Sequence, residues 1–209
     1  MSTSQAPAAA TSALRQGLNS RQAETARKLM EAGLEELRAV GHEALTVRTV
    51  AQRAGVSPAT AYTYLASKNH LFAELFAEHI TDEEPATYDA GASTTQRVQQ
   101  AARDLVARIV EEPELAAAVT PALLGADPDV ARLRLRIGAE FVGRYDAALR
   151  DPARPEVNPD PAVLDTLVLT LSGALLQAGM GIFSYDQMSE RLVAAVAVIL
   201  AGTDRNGSA

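Results

Sequence analysis

The sequence predicts an all-α protein in two parts, a small N-terminal three-helix unit and a larger helical C-terminal part. Three observations carry that expectation. Apolar residues recur at three- and four-residue spacing through most of the chain. The breaks between these windows are Gly, Ser-Pro, Asp-Pro or Pro-rich steps, which stop and start helices. Between Leu45 and Phe72, two short apolar-periodic segments are joined by a tight glycine turn.

Residues 1–19, rich in Ala, Ser and Thr, are expected to form a disordered arm. They lack the charged start and continuous apolar run of a signal peptide, so a cytoplasmic location is expected. The first helix begins at Ser20 and carries a stripe of Ala26, Leu29, Gly33, Leu34 and Leu37. Gly41 ends it. Arg15 and Arg21 near its start are expected to be solvated charges.

The organising stretch follows. Thr46 can cap a helix whose Val47, Val50, Ala51 and Ala54 share one face. Gly55 then supplies the left-handed residue that a helix end needs. Ser57 offers a second N-cap, with Pro58 at the first helical position, and this helix runs to about Tyr64. Its exposed side is expected to present Pro58, Ala59, Thr60, Thr63 and Tyr64, small or hydrogen-bonding groups suited to phosphates and base edges. No acidic residue occurs from Ala44 to Ala73, whereas Arg48, Arg53 and Lys68 do. A purely structural helical hairpin is the alternative to a DNA-reading helix-turn-helix.

The residues at this point resemble the N-terminal domain of the tetracycline-repressor (TetR) family of bacterial regulators. The matching residues are Thr46 and Arg48, then Ala51, Ala54, Gly55, Val56 and Ser57, then Ala61 to Lys68, with Leu71 and Phe72 behind. Ala61 and Leu65 depart from the larger aliphatic and the Phe usual there, and both are expected to face inward. The resemblance spans roughly Arg21 to Phe72. It implies binding of double-stranded operator DNA through Thr46, Arg48, Ser57, Pro58, Ala59, Thr60, Tyr62, Thr63, Tyr64 and Lys68. It further implies a DNA-binding domain over residues 20–67 and an effector-binding and dimerisation domain over 68–202, before a disordered tail at 203–209.

Ser67 caps the next helix, Lys68 to about Ile80, which in such a family links the two domains. A helix from Thr94 to Glu112 stops before Pro113. A shorter apolar piece, Glu114 to Leu124, is interrupted by Pro121. Asp127-Pro128 opens a long helix to about Arg150, with Val130, Leu133, Ile137, Phe141, Tyr145 and Ala148 on one side. Its Arg132, Arg134, Arg136 and Arg144 are expected to pair with neighbouring carboxylates. Asp151 to Pro161 holds four prolines and is a loop.

Asp160-Pro161 then opens the most apolar segment, and Thr166 to Tyr185 contains no charged residue. Its length allows a membrane span. Thr170, Ser172, Gln177 and the absence of flanking basic residues favour burial within a helical assembly instead. The last helix, about Asp186 to Ala201, completes an apolar hairpin. With the resemblance, this hairpin implies a homodimer whose interface is expected at Leu167, Leu171, Leu192, Val196 and Ile199. No membrane partner is expected.

Charge and composition limit the remaining readings. The net charge of −7 divides into +3 over residues 1–72 and −10 over 73–209, so DNA would meet only the N-terminal face. Cysteine is absent, and the three histidines all precede residue 80 without carboxylates at ligand spacing. No phosphate loop, nucleophile elbow or zinc motif occurs. No metal, cofactor or enzymatic activity is expected.

A ligand cavity is expected among Leu105, Ile109, Leu115, Val119, Leu123, Ile137, Phe141 and Leu175. These imply a mostly apolar effector. With only 4% aromatic residues, an aliphatic or steroid-like molecule fits better than a planar cation. The charged residues considered for its wall are Arg103, Arg108, Glu140 and Arg144. The expectation is therefore a repressor that binds a palindromic operator as a dimer and is released by a small molecule. The alternatives are an effector-independent DNA-binding factor and an activator of the same fold.

Overall fold

A computed structural model describes residues 20–81, 87–89 and 91–206. The expected arm at 1–19 and residues 207–209 of the expected tail lie outside the described residues. Among those described there are nine helices and no strand: α1 Ser20–Ala44, α2 Val47–Arg53, α3 Pro58–Tyr64, α4 Lys68–Thr81, α5 Thr94–Val110, α6 Pro113–Leu124, α7 Pro128–Leu149, α8 Pro161–Gly179 and α9 Tyr185–Asn206.

Side chains satisfy most of the helix starts. Thr46 and Ser93 each form a capping box, with Thr49 and Gln96 returning the bond. Asp127 and Asp160 cap α7 and α8 through the N–H of Asp129 and Ala162, each followed by proline at the first helical position. α1 breaks at Gly41, whose φ of 74° is open to glycine at little cost. Pro121 does not interrupt α6, which continues to Leu124. Proline there removes one backbone bond near the end of a buried helix, and tertiary packing holds the turn.

α4 is the axis of the molecule. Residues 70–77 and Ile80 are all buried, because α1, α5, α6 and α7 pack around this helix. α8 and α9 form a hairpin, with α9 against α5 and α8 against α6 and α7. The buried Arg97 of α5 donates to the carbonyls of Ala148 and Arg150, which locks α5 to the C-terminus of α7. α9 reaches Asn206, past the expected end near Ala201, so residues 203–206 are helical.

The hairpin corrects one expectation. Leu167, Leu171, Leu192 and Val196 are buried within the single chain and do not await a partner. They form the inner stripes along which α8 and α9 meet each other and their neighbours. Ile199 is half-buried against the same core. The apolar surface left uncovered lies elsewhere on these helices, at Leu169 (72% exposed) and Val198 (74% exposed). α8 is long and apolar enough to cross a membrane, yet only 17% of its most apolar stretch is buried.

Candidate DNA-binding face and ligand cavity

The turn between α2 and α3 is built by backbone bonding. Gly55, at φ 68°, donates to the Gln52 carbonyl while Val56 donates to that of Ala51, a Schellman closure of α2. The Ser57 hydroxyl accepts from Thr60 N–H and starts α3. On α3, Ala61, Tyr64 and Leu65 lie at i, i+3 and i+4 and make its inward face. Ala61 and Leu65 are fully buried, and Tyr64 is half-buried against the core. That packing corrects the expectation that Tyr64 stands on the exposed side.

Most of the remaining DNA-facing candidates are open to solvent. Thr46, Arg48, Ser57, Pro58, Ala59, Tyr62 and Thr63 are exposed, and Thr60 is half-buried. A shallow concavity runs between the helices beside Thr46, Arg48, Gln52 and Pro58. The Thr63 hydroxyl donates to the Ala59 carbonyl, which leaves its methyl group and the remaining lone pairs of its oxygen available to a partner. The three cations of the motif are used differently. Arg53 pairs with Glu36 at 2.7 Å, and Lys68 Nζ donates to the carbonyls of His42 and Glu43 at the end of α1. Arg48 forms no ion pair among the described residues.

Several side-chain contacts join this unit to the helices beyond it, His42 of α1 lying 3.6 Å from Glu114 of α6 among them. Arg38 of α1 pairs with Glu112 at the start of α6, and the guanidinium holds the Glu112 carboxyl below the usual range. Ser67, the cap of α4, donates to Asp127, the cap of α7, at 2.7 Å. That hydrogen bond is the main reason the Asp127 carboxyl is also depressed. Behind them, the fully buried Glu74 lies 3.7 Å from His70 and 3.5 Å from Arg136 of α7. His70 Nδ1 accepts from Ala66 N–H, which turns its other nitrogen toward Glu74.

A cavity of about 250 Å³ opens among α4, α5, α6, α7, α8 and the start of α9. Of the eight expected wall residues, Ile109, Val119, Leu123, Ile137, Phe141 and Leu175 line it. Leu105 and Leu115 do not: they are buried on other faces of α5 and α6 as core. Arg103, Arg108, Glu140 and Arg144 are likewise absent from the wall; Arg144 pairs with Glu140, and Arg108 with Glu111. The charged wall residue is Arg134.

Arg134 is bonded to the carbonyls of Leu123 and Gly125 at the end of α6, at 2.7 and 2.8 Å, and not to a carboxylate as expected. Arg132 does pair with Asp129. Sequence reasoning also missed Phe76, Thr120, Gly138, Ser172 and Tyr185 as wall residues. Arg134 and Gly138 share helical spacing with Ile137 and Phe141, so the periodicity held that signal. Burial raises the Tyr185 phenol, and the neighbouring Thr120 hydroxyl lowers it less; Thr120 itself donates to the Ala116 carbonyl.

Known proteins share this architecture. The family described as "Bacterial regulatory proteins, tetR family" matches residues 29–75. An uncharacterized HTH-type transcriptional regulator of Mycobacterium tuberculosis is 43% identical over 188 residues, covering 89% of this chain and 85% of that protein. A TetR transcriptional regulator from Rhodococcus sp. RHA1 superposes with a TM-score of 0.67 at 19% identity, covering 88% of this chain and 97% of that one. Thermus thermophilus FadR, a TetR-family repressor solved with lauroyl-CoA, gives 0.59 at 18% identity over 82% and 93%. With its helix-turn-helix, all-helical fold and full-length relative, this chain belongs to the TetR family of DNA-binding bacterial transcriptional regulators.

Proposed function

We propose that the chain is a cytoplasmic repressor, without catalytic activity, that binds a palindromic operator as a homodimer and leaves it when a small apolar effector fills the cavity. One observation carries this reading. Two of the helices that wall the cavity are fastened to the DNA-binding unit, α6 through Arg38–Glu112 and α7 through Ser67–Asp127. A ligand that prefers one arrangement of α6 and α7 therefore biases the position of α1 and α4. The complex of Thermus thermophilus FadR with lauroyl-CoA supports an effector that carries an apolar chain for this fold.

In this reading Arg48, Tyr62 and Lys68 hold phosphates, together with the helix starts at Thr46 and Ser57. Pro58, Ala59, Thr60 and Thr63 face base edges, and the half-buried Tyr64 reaches DNA only through its hydroxyl. The exposed Leu169 and Val198 meet their copies in a second subunit, which covers α8 in place of lipid. Dimerisation sets two α3 helices at half-sites one helical turn apart.

The test is footprinting of the purified protein on its own upstream DNA, with and without apolar metabolites. Protection of a two-fold symmetric site that is lost on adding an effector is the expected result. Protection that no effector changes favours a constitutive factor, and an effector that strengthens protection beside a promoter favours an activator.

A further inference from the structure

We propose that the effector is an amphiphile with a single acidic head group, its apolar tail inside the cavity and its head held by Arg134 at the mouth. This rests on reading the cavity as the effector site. The polarity of the wall is graded. Phe76, Ile109, Ala116 and Phe141 of the lining are buried, whereas Leu124, Arg134 and Ser172 are exposed and mark where the cavity meets solvent.

Two of the three wall hydroxyls already have main-chain partners. Ser172 donates to the Val168 carbonyl, and Thr120 to that of Ala116. Arg134 is different. A guanidinium has five N–H donors, and here Nε and one Nη2 proton serve main-chain carbonyls. These bonds hold the side chain against α6 and leave three donors and the full charge uncommitted. Among the described residues no acidic side chain lines the cavity, so an amine would meet no counter-charge from them.

The volume limits the tail. At roughly 30 Å³ for each water-sized group, about 250 Å³ accommodates a chain of about eight such groups. Gly138 contributes to this space, since a side chain at that position would meet nothing within 4 Å.

Titration calorimetry on the full chain at neutral pH tests the proposal with octanoate, octyl phosphate, 1-octanol and octylamine. At least one acid is expected to bind about three- to fivefold tighter than octanol, the margin of an exposed ion pair. Which acid binds tighter distinguishes a carboxylate head from a phosphate. Arg134→Gln should erase the margin and leave octanol unchanged, while Arg134→Lys should keep the preference for acids. Gly138→Phe should abolish binding of every probe by filling the site.

Octanol or octylamine binding as tightly as both acids overturns the acidic head while leaving the cavity a ligand site. A margin that survives in Arg134→Gln also overturns it. Binding of no probe overturns both this proposal and the reading of the cavity, whereas operator footprinting still judges the DNA-binding function.

Discussion

Ser67 and Asp127 are 60 positions apart in sequence, and their side chains meet at 2.7 Å. Each is the cap of a long helix. Ser67 Oγ accepts from His70 N–H while donating its proton to Asp127 Oδ2, and Asp127 Oδ1 accepts from Asp129 N–H. One hydrogen bond thus ties the starts of α4 and α7, the first entering from the DNA-binding unit and the second carrying the cavity wall. Ser67→Ala removes a cap and this link together. We expect a loss of about 1–2 kcal/mol in denaturant unfolding, and a smaller change in operator affinity on adding effector. Unaltered stability in Ser67→Ala would show that the link carries no load.

Acid should loosen both fastenings. Asp127 and Glu112 are depressed in the folded chain by Ser67 and Arg38 respectively, so the unfolded chain binds protons first as pH falls. Their contribution is fully present above the unfolded carboxylate range, near pH 4, and is lost as pH drops through the folded values. Thermal melts from neutral pH to about pH 3 should show a decline that is reduced in the Glu112→Gln, Asp127→Asn double variant. An equally steep decline in that variant assigns the acid sensitivity to other carboxylates.

Arg48 and Lys68 should separate affinity from architecture. Arg48 is exposed and unpaired by any described carboxylate, so Arg48→Ala should reduce the salt slope of operator binding by about one without changing stability. Lys68 already caps α1 through the His42 and Glu43 carbonyls. Lys68→Ala should therefore lower stability by about 0.5–1 kcal/mol as well as affinity. A stability loss without any change in salt slope confines Lys68 to its structural bond.

The outer and inner faces of the terminal hairpin should respond differently to charge. Leu169→Glu, on the exposed face, should yield a folded monomer that binds its operator poorly. Val196→Glu buries the charge in the chain's own core and should lower stability by several kcal/mol. Sedimentation and circular dichroism on both variants check this. A dimeric Leu169→Glu protein would place the interface away from that face.

At Gly179, α8 packs tightly against Thr120 of α6. A Cβ there would stand 2.7 Å from the Thr120 side chain, too near for an atom pair. Gly179→Ala should cost about 1–3 kcal/mol as overpacking and weaken ligand binding, because Thr120 is a wall residue. Gly173, with open space around its added Cβ, serves as the comparison and should accept Ala without that loss. Equal tolerance at both positions would mean that α6 and α8 can move apart freely.

By itself the sequence determined what depends on neighbours along the chain. The Thr46 and Ser57 caps, the Gly55 turn, the prolines after Asp127 and Asp160, and the inward Ala61 and Leu65 are local stereochemistry. Each is legible because it involves residues within one or two helical turns. Tertiary structure decided the rest. Periodicity marks an apolar face without saying what covers it, so Leu105 and Leu115 read as cavity wall until packing placed them in the core. The same ambiguity put Leu167, Leu171, Leu192 and Val196 at a dimer seam, although the chain buries them itself. Long cationic side chains are the opposite case. They choose partners across helices, so Arg134 found the end of α6 and Lys68 the end of α1, where exposed carbonyls offer the partial negative charge that sequence spacing does not reveal.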